Sequence, residues 1–434
     1  MVSGTVVWLV FFATLLLIAI PSVDQRFLKR LRGLKNTARA IIIALVILAL
    51  ALIFFILVIG LDAFFSDDPD TPLSELLISL DNVFGYNDAT SLSHQAAQNL
   101  IDGKNPYEEA NIIRAMLDYR GDVDKITPLR EGRFEDVFPY PTADQLESFW
   151  NDVSQTPDQI PLEIESKFNY PAGGFLLPAP FLLVGINDFR IIYIILLIPV
   201  LVYVVYKIPV KFRIPFIIAL LASLELWNSL AAGETGFLYF PFLFLGWILR
   251  KKNWWLAALF FAAAVVIKQL VWFILPFYLI LIFRTRGWRA MAGTLLIIMA
   301  VFFAVNGYYI VSDPGFWINS VAAPMTDDMF PLGVGIVSVV SGGYVDIQSP
   351  FIFSILEIAV AVAAVLWYFF KCNRYPETGL LLGVLPLFFA WRSLWGYFFY
   401  IDVIILASIM INEYGTATSE NGGSILRTSP VPVN

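Results

Sequence analysis

The chain has 434 residues, of which 59% are hydrophobic and 15% are charged, and its formal net charge is −7. A soluble protein of this length could not cover so much apolar surface, so the composition indicates a polytopic helical membrane protein. The single cysteine excludes intramolecular disulfides, the single histidine excludes a multi-histidine metal site, and the lack of a glycine-rich phosphate-binding pattern argues against a nucleotide-driven pump.

Two apolar runs, 6–20 and 40–61, precede the first long polar segment. The first run has no basic region before it and no small-residue cleavage site after it, so we predict a retained helix. The residues between the two runs include six bases: Arg26, Lys29, Arg30, Arg32, Lys35 and Arg39. Since short loops rich in Lys and Arg stay in the cytoplasm, residues 1–39 are predicted to form an extra amino-terminal helix and a cytoplasmic loop.

The polar segment 66–170 is then predicted to be an outer catalytic loop, because loops of this length are usually functional. The helical spacing of Leu92, Ala96 and Leu100 predicts a helix over 89–101. A second short helix is predicted over 108–119. The stretch 121–161 is rich in Asp, Pro and Thr, and it predicts irregular structure packed on the membrane surface.

The rest of the apolar sequence completes a membrane domain that we place over 40–411. Its predicted helices are 189–206, 214–232, 236–249, 254–267, 270–283, 290–311, 350–370, 378–391 and 396–411. Placing the basic loops between them in the cytoplasm gives one path, with about 11 crossings, the amino terminus outside and a disordered cytoplasmic tail over 412–434.

The apolar segment 173–186 does not fit this path as a full crossing. A full crossing there would move three basic loops to the outside, so a re-entrant or interfacial helix is predicted instead. Several other runs have only around 14 residues, which suggests tilted or half-inserted hairpins that line a cavity. The fold class is therefore an all-α membrane bundle with one re-entrant segment and short helices in a long outer loop.

Asp88, just outside the second membrane helix, is the leading candidate for chemistry. A carboxylate in this position can act as a general base toward an acceptor hydroxyl. The alternative role is a helix N-cap, since Asp88 precedes a helical stretch and Asp is a favoured cap. Asp81, seven residues earlier, has a similar claim to be the base.

Two isolated bases are candidates for binding a phosphate. Lys268 interrupts the apolar stretch 260–283, where a charge is costly and usually functional. Arg392 breaks another apolar stretch between two tryptophans. The alternative for Lys268 is snorkelling to the interface. The other predicted cavity residues are His94, Asn105, Tyr107, Tyr170, Glu234, Gln269 and Tyr397.

His94 could orient Asp88 or bind a phosphate, although a surface histidine is the simpler interpretation. Glu234 could pair with either Lys268 or Arg392. An Asp-x-Asp pattern at 122–124 is typical of metal sites in nucleotide-sugar transferases, but so acidic a loop produces it by chance. No metal site or other cofactor is therefore predicted, and metal dependence is left open.

These residues together resemble the GT-C superfamily of integral membrane glycosyltransferases. They are most similar to the polyprenol-phosphate-mannose type enzymes of glycosyltransferase family 87. The resemblance rests on Asp88, Ala96-Ala97 and Gly103-Lys104-Asn105-Pro106-Tyr107, followed by Tyr170-Pro171-Ala172, by Lys268-Gln269 with its aromatic run to Pro276, and by Arg392 to Tyr397. It covers roughly residues 40–410. The family's second proline is missing after Pro171, and the outer loop is longer than usual.

The resemblance implies a GT-C-like bundle and a polyprenyl-phosphate-linked sugar donor, with mannose or another hexose as the sugar. The base role would fall on Asp88, and phosphate contacts on Lys268 and Arg392. Transfer would invert the anomeric carbon and take place on the outer face of the plasma membrane. The partners would be a lipid or glycan acceptor and membrane lipids, with no nucleic acid.

Two other classes stay open. A transporter or flippase would be expected to show inverted repeats and a short outer loop, neither of which the sequence has. Only Glu225 and Glu357, which could belong to a proton path, favour it. A relative that binds a lipid-linked sugar without catalysis is the third possibility.

Overall fold

The computed structural model describes residues 85–412, apart from Arg120 and Phe399. The predicted helices over 6–20 and 40–61, the basic loop between them and the alternative base Asp81 lie outside the described residues. So does the tail after Asn412. The predictions for those parts of the chain stay predictions.

Three helices form within the segment predicted to be the outer loop: α1 (Asp88–Ile101), α2 (Ile112–Asp118) and α3 (Ala143–Val153). The prediction of irregular structure over 121–161 was wrong at α3. Thr142 and Gln145 form a reciprocal capping box at its start. The apolar residues Leu146, Phe149 and Val153 then recur at helical spacing and are buried. The Asp- and Pro-rich composition around α3 hid this local signal.

The remaining described helices and strands follow in chain order. They are α4 (Gly173–Leu176), α5 (Ala179–Leu183), α6 (Phe189–Lys207), α7 (Val210–Ala222), α8 (Leu224–Ala231), α9 (Gly236–Leu249), α10 (Trp254–Val265), α11 (Leu270–Arg286), α12 (Trp288–Ser312), α13 (Pro314–Thr326), β1 (Leu332–Gly333), α14 (Ser338–Ser341), α15 (Phe351–Lys371), α16 (Thr378–Val384), β2 (Arg392–Ser393) and α17 (Ile401–Asn412). Helices therefore dominate the described chain, and β1 and β2 form one small parallel pair.

The count of about 11 crossings is not confirmed. Among the described residues, four helical segments are long and apolar enough to cross a membrane, or five if the bent pair α7 and α8 counts as one. The other apolar helices have 10–17 residues, fewer than the roughly 20 that a span requires. These shorter segments include α9, α10 and α16 with its following 3₁₀ turn.

The short and the long helices occupy different layers. Most of α9 is buried, and a Cβ at Gly246 would lie 2.9 Å from the Phe261 backbone nitrogen, so α9 and α10 pack with little space between them. The long helices α6, α12 and α15 instead leave many apolar side chains exposed, such as Val202, Leu296 and Ile358. We infer that the long helices contact lipid around a core of short ones.

The loops between the helices gather at two ends of the bundle. At one end Arg250 forms a buried ion pair with Glu377, at 2.6 Å between Nη2 and Oε1, and Arg286 donates to the carbonyl of Lys251. These are loops that the sequence analysis places in the cytoplasm. The loops that it places outside meet at the other end, where Asn87 bonds to Glu234 and β1 pairs with β2.

The segment 173–186 contains only α4 and α5, which are separated at Pro178. With the two residues between them they span 11 residues, at most about 16 Å of helix, which is too short to cross a bilayer core of about 30 Å. The Gly173 amide donates to the carbonyl of Val266 at 2.9 Å, and a Cβ at Gly173 would lie 2.4 Å from that oxygen. The segment is thus packed against the connection between α10 and α11.

Candidate active site

The start of α1 is fixed against the turn between α8 and α9. Asn87 caps α1 by accepting from the Thr90 amide at 2.8 Å, and its Nδ2 donates to Glu234 Oε1 at 3.0 Å. The Thr90 hydroxyl donates to the carbonyl of Gly233 at 2.6 Å. The cap is therefore Asn87, and the alternative role suggested for Asp88 belongs to its neighbour. Asp88 is the first residue of the helix.

The Asp88 carboxyl is enclosed by protein, and this loss of water raises its pKa. Hydrogen bonds from Thr127 and from the Ala89 amide, together with the positive charge of Arg392, act in the opposite direction. The Ala89 amide lies 2.7 Å from Oδ1. A carboxyl held in this way is suited to general-base work, because its pKa moves toward the pH at which proteins operate.

Lys268 lies in the short connection between α10 and α11. Its Nζ donates to the Thr235 hydroxyl at 2.7 Å and lies 4.7 Å from the centre of the Tyr170 ring. Burial lowers the pKa of Lys268 to about 8, while the charges of Glu234 and Asp88 oppose this shift. The ammonium is therefore held between Thr235 and Tyr170 within the protein.

Arg392 is positioned by the parallel pairing of β1 and β2, in which it is the partner of Leu332. Its neighbour Trp391 donates from Nε1 to the carbonyl of Met329 at 2.7 Å. The Arg392 Nη1 atom is buried and makes no hydrogen bond within the described chain. An unpaired buried guanidinium nitrogen is unusual and is suited to receiving an anionic ligand.

Glu234 completes the group. Burial raises the pKa of its carboxyl, and the positive charge of Lys268 opposes this shift. Asp88, Glu234, Lys268 and Arg392 are half-buried, as are Tyr170 and Tyr397. Protein surrounds these side chains, yet they keep some accessible surface. Because Asp88 interacts electrostatically with Glu234, Lys268 and Arg392, we treat them as one group and call it the recess. In the described part of the chain, none of the four charged residues forms an ion pair with another.

The recess also has supporting residues that were predicted to line it. Gln269 donates from Nε2 to the carbonyl of Asn169 at 2.7 Å, and its buried Oε1 has no partner among the described residues. Tyr107 donates to the carbonyl of Tyr170 at 2.9 Å. Its ring is buried against Phe168 and Phe175, each 5.6 Å away between centroids. Tyr107 therefore holds the backbone of Tyr170 in place.

His94 and Asn105 are not brought into the recess. His94 is buried, with its ring stacked on Tyr119 at 3.9 Å, and burial lowers its pKa to about 4. A neutral histidine cannot supply a positive charge to a phosphate, and six residues along a helix place it about 240° around from Asp88. Asn105 bonds instead within its own turn, to Glu108 at 2.6 Å.

Several residues of the site were missed by the sequence analysis. Thr127 bonds to Asp88, Thr235 accepts from Lys268, and Tyr140 lies where both Asp88 and Arg392 act on it. Burial raises the pKa of Tyr140 to about 12. Thr127 and Tyr140 come from the stretch that was predicted to be irregular, and only their position in the folded chain marks them. Thr235 was detectable as the neighbour of Glu234.

The sequence model of glycosyltransferase family 87 matches residues 168–408, which is more than half of the chain. The chain belongs to glycosyltransferase family 87. The match contains Glu234, Lys268 and Arg392, whereas Asp88 and the outer loop precede it. Membership of this family and the apolar helices together indicate a membrane glycosyltransferase. No curated protein and no solved structure matches the chain.

Proposed function

We propose that this family 87 protein transfers a sugar, mannose or another hexose, from a polyprenyl-phosphate donor to a lipid or glycan acceptor. The reaction takes place on the extracytoplasmic face of the plasma membrane and inverts the anomeric carbon. The observation that carries the proposal is the recess itself. It holds two acids and two bases that do not pair with one another within the described residues.

In this reaction Asp88 is the general base. Its carboxylate takes the proton of the acceptor hydroxyl while the hydroxyl oxygen forms a bond to the anomeric carbon. The bond between that carbon and the phosphate oxygen breaks at the same time, and its electron pair leaves with the polyprenyl phosphate. Thr127 and the Ala89 amide hold the carboxylate in place.

Lys268 and Arg392 stabilise the phosphate as it gains charge. Lys268 is oriented by Thr235 and Tyr170, and Arg392 by the β1–β2 pairing. Cations that are already aimed at the position of developing charge need little reorganisation during the reaction, which is a large source of catalysis. Because phosphate is already a good leaving group, a second acid catalyst is unnecessary.

The test is to incubate the purified protein with radiolabelled polyprenyl-phosphate sugars and membrane lipids. The wild type should form a labelled product, and Asp88→Asn should lose transfer by roughly 10²- to 10⁴-fold while remaining folded. Lys268→Ala should weaken donor binding. Asp124→Asn, which alters an exposed acid of the same loop, serves as the matched control. Full activity in Asp88→Asn would refute the assignment of the base.

A further inference from the structure

We infer that Glu234 binds hydroxyl groups of the transferred sugar and thereby selects the donor. This inference rests on the proposed function, because it assigns a part of the same recess. The reaction fixes where the sugar ring must lie. Its anomeric carbon is bonded to the phosphate on one side and is attacked by the acceptor oxygen on the other.

Glu234 is linked to both sides of this reaction. The charges that act most strongly on its carboxyl are those of Lys268, which we place at the phosphate, and Asp88, which we place at the acceptor oxygen. Hydrogen bonds also link the Glu234 turn to Lys268 and to the residue before Asp88. Asn87, the residue before Asp88, bonds to the Glu234 side chain, and Thr235, the residue after Glu234, bonds to Lys268.

The Glu234 side chain is held rigidly. Its Oε1 accepts from Asn87 at 3.0 Å, and its backbone amide donates to the carbonyl of Ser229 at 3.0 Å. The preceding Gly233 has a φ of +71°, and a Cβ there would come within 2.9 Å of the Tyr86 ring. A larger residue would therefore disturb this turn, and the geometry fixes the direction of the carboxyl group.

One oxygen of Glu234 remains for a ligand. Oε2 faces Gly396, where a Cβ would lie 3.3 Å away, and it accepts no hydrogen bond from the described part of the chain. Carboxylate oxygens are strong acceptors for hydroxyl groups. A sugar hydroxyl that meets Oε2 would therefore supply a hydrogen-bond donor to this oxygen. A donor without a hydroxyl at this position would leave the oxygen unsatisfied and would bind poorly.

The test uses two kinds of phosphodiester with the same single negative charge. Farnesyl phosphoryl mannose and farnesyl phosphoryl glucose carry a sugar, and methyl farnesyl phosphate does not. Their dissociation constants are measured on the full-length protein in lipid nanodiscs at pH 6, where Lys268 is protonated. The wild type should bind at least one sugar diester roughly tenfold or more tightly than the methyl diester.

Glu234→Ala should abolish this preference without weakening the methyl diester. Glu234→Gln should reduce the preference, because the amide that replaces Oε2 can donate to a sugar hydroxyl but cannot accept from one, and its neutral bond is weaker than one to a carboxylate. Asp124→Ala should keep the preference. A preference that survives in both Glu234 variants would overturn the inference. Equal weakening of all diesters would also overturn it, since Glu234 would then act only through Lys268. If no diester binds the wild type, the proposed donor fails, and the inference fails with it.

Discussion

Burial shifts the pKa values of the two central ionisable residues of the recess in opposite directions. Burial disfavours the charged form of each, which raises the pKa of Asp88 and lowers the pKa of Lys268 to about 8. The proposed reaction needs Asp88 deprotonated and Lys268 protonated. The pH range in which both conditions hold is therefore narrower than the ordinary pKa values of Asp and Lys would give.

This predicts a bell-shaped dependence of kcat/KM on pH. As the pH falls through the raised pKa of Asp88, the base becomes protonated and activity is lost. As the pH rises through about 8, Lys268 loses its charge and the donor binds less well. Measuring kcat/KM from pH 4 to 10 tests both limbs. A profile that stays flat from pH 7 to 10 would contradict the role of Lys268.

Lys268→Arg should remove the alkaline limb, because the guanidinium stays charged throughout this range. The maximal rate should fall as well, since the larger planar group cannot place its charge at the same point while it contacts Thr235 and Tyr170. The measurement is the same pH profile. Lys252→Arg, at the opposite end of the bundle, should keep the wild-type limb and serves as the control.

Sequence patterns could identify the site residues whose charge is unusual for the apolar sequence around them. A lysine or an arginine inside an apolar run is recognisable without a structure, so Lys268 and Arg392 could be named as candidates from the sequence. Thr127 and Tyr140 are ordinary loop residues in the sequence. They reach Asp88 and Arg392 only through tertiary contacts, which no local pattern records.

At the level of elements, the packing of α4 determines where Lys268 lies. The Gly173 amide bonds to the carbonyl of Val266, two residues before Lys268, and Gly174 lies close to the carbonyl of Ile267. The two glycines let α4 approach the backbone between α10 and α11. The sequence predicted both glycines at the start of an unusual segment, but it could not show which backbone they contact.

Gly173→Ala should therefore displace the Lys268 connection, because its Cβ would meet the Val266 carbonyl at 2.4 Å. We expect a loss of about 1–3 kcal/mol of stability and weaker donor binding. Thermal unfolding in detergent and binding of farnesyl phosphate measure the two effects. Gly307→Ala is the control, since nothing lies within 4 Å of its added Cβ. Equal behaviour of the two variants would contradict the packing argument.

A second prediction concerns the opposite end of the bundle, where Glu377 accepts from Arg250 and from Trp247. Glu377→Ala should reduce stability by about 3–5 kcal/mol, because it leaves a buried guanidinium without its partner. The unfolding midpoint in detergent measures this effect. Lys371→Ala changes an exposed charge at the same end and should have little effect. An unchanged midpoint in Glu377→Ala would refute the argument.

At the level of the whole molecule, the charge pattern divides the predicted loops into two sets, and loops of the same set contact one another in the fold. The sequence could do this because basic loops alternate with acidic or polar ones along the chain. It did not yield a confirmed number of crossings, since α9 and α10 are shorter than a bilayer core. Such helices are stable when other helices surround them, and this cannot be read from length or hydrophobicity alone.

The predicted orientation can be tested by labelling single cysteines. In a Cys372→Ser background, Glu135→Cys should react with a membrane-impermeant maleimide in right-side-out vesicles. Lys371→Cys should react only after the vesicles are opened. Both positions are exposed in the fold, so access depends on the side of the membrane. The reverse pattern of labelling would place the recess in the cytoplasm.

The shortness of α9 and α10 has a consequence for how a lipid carrier meets the protein. Helices of 14 and 12 residues extend about 21 and 18 Å, whereas α12 extends about 38 Å. The floor of the recess, at Thr235 and Lys268, therefore lies below the level at which the long helices end. If the donor is a lipid-linked phosphate, as we propose, its phosphate would enter the recess close to its own depth in the bilayer, and the carrier would not have to be extracted.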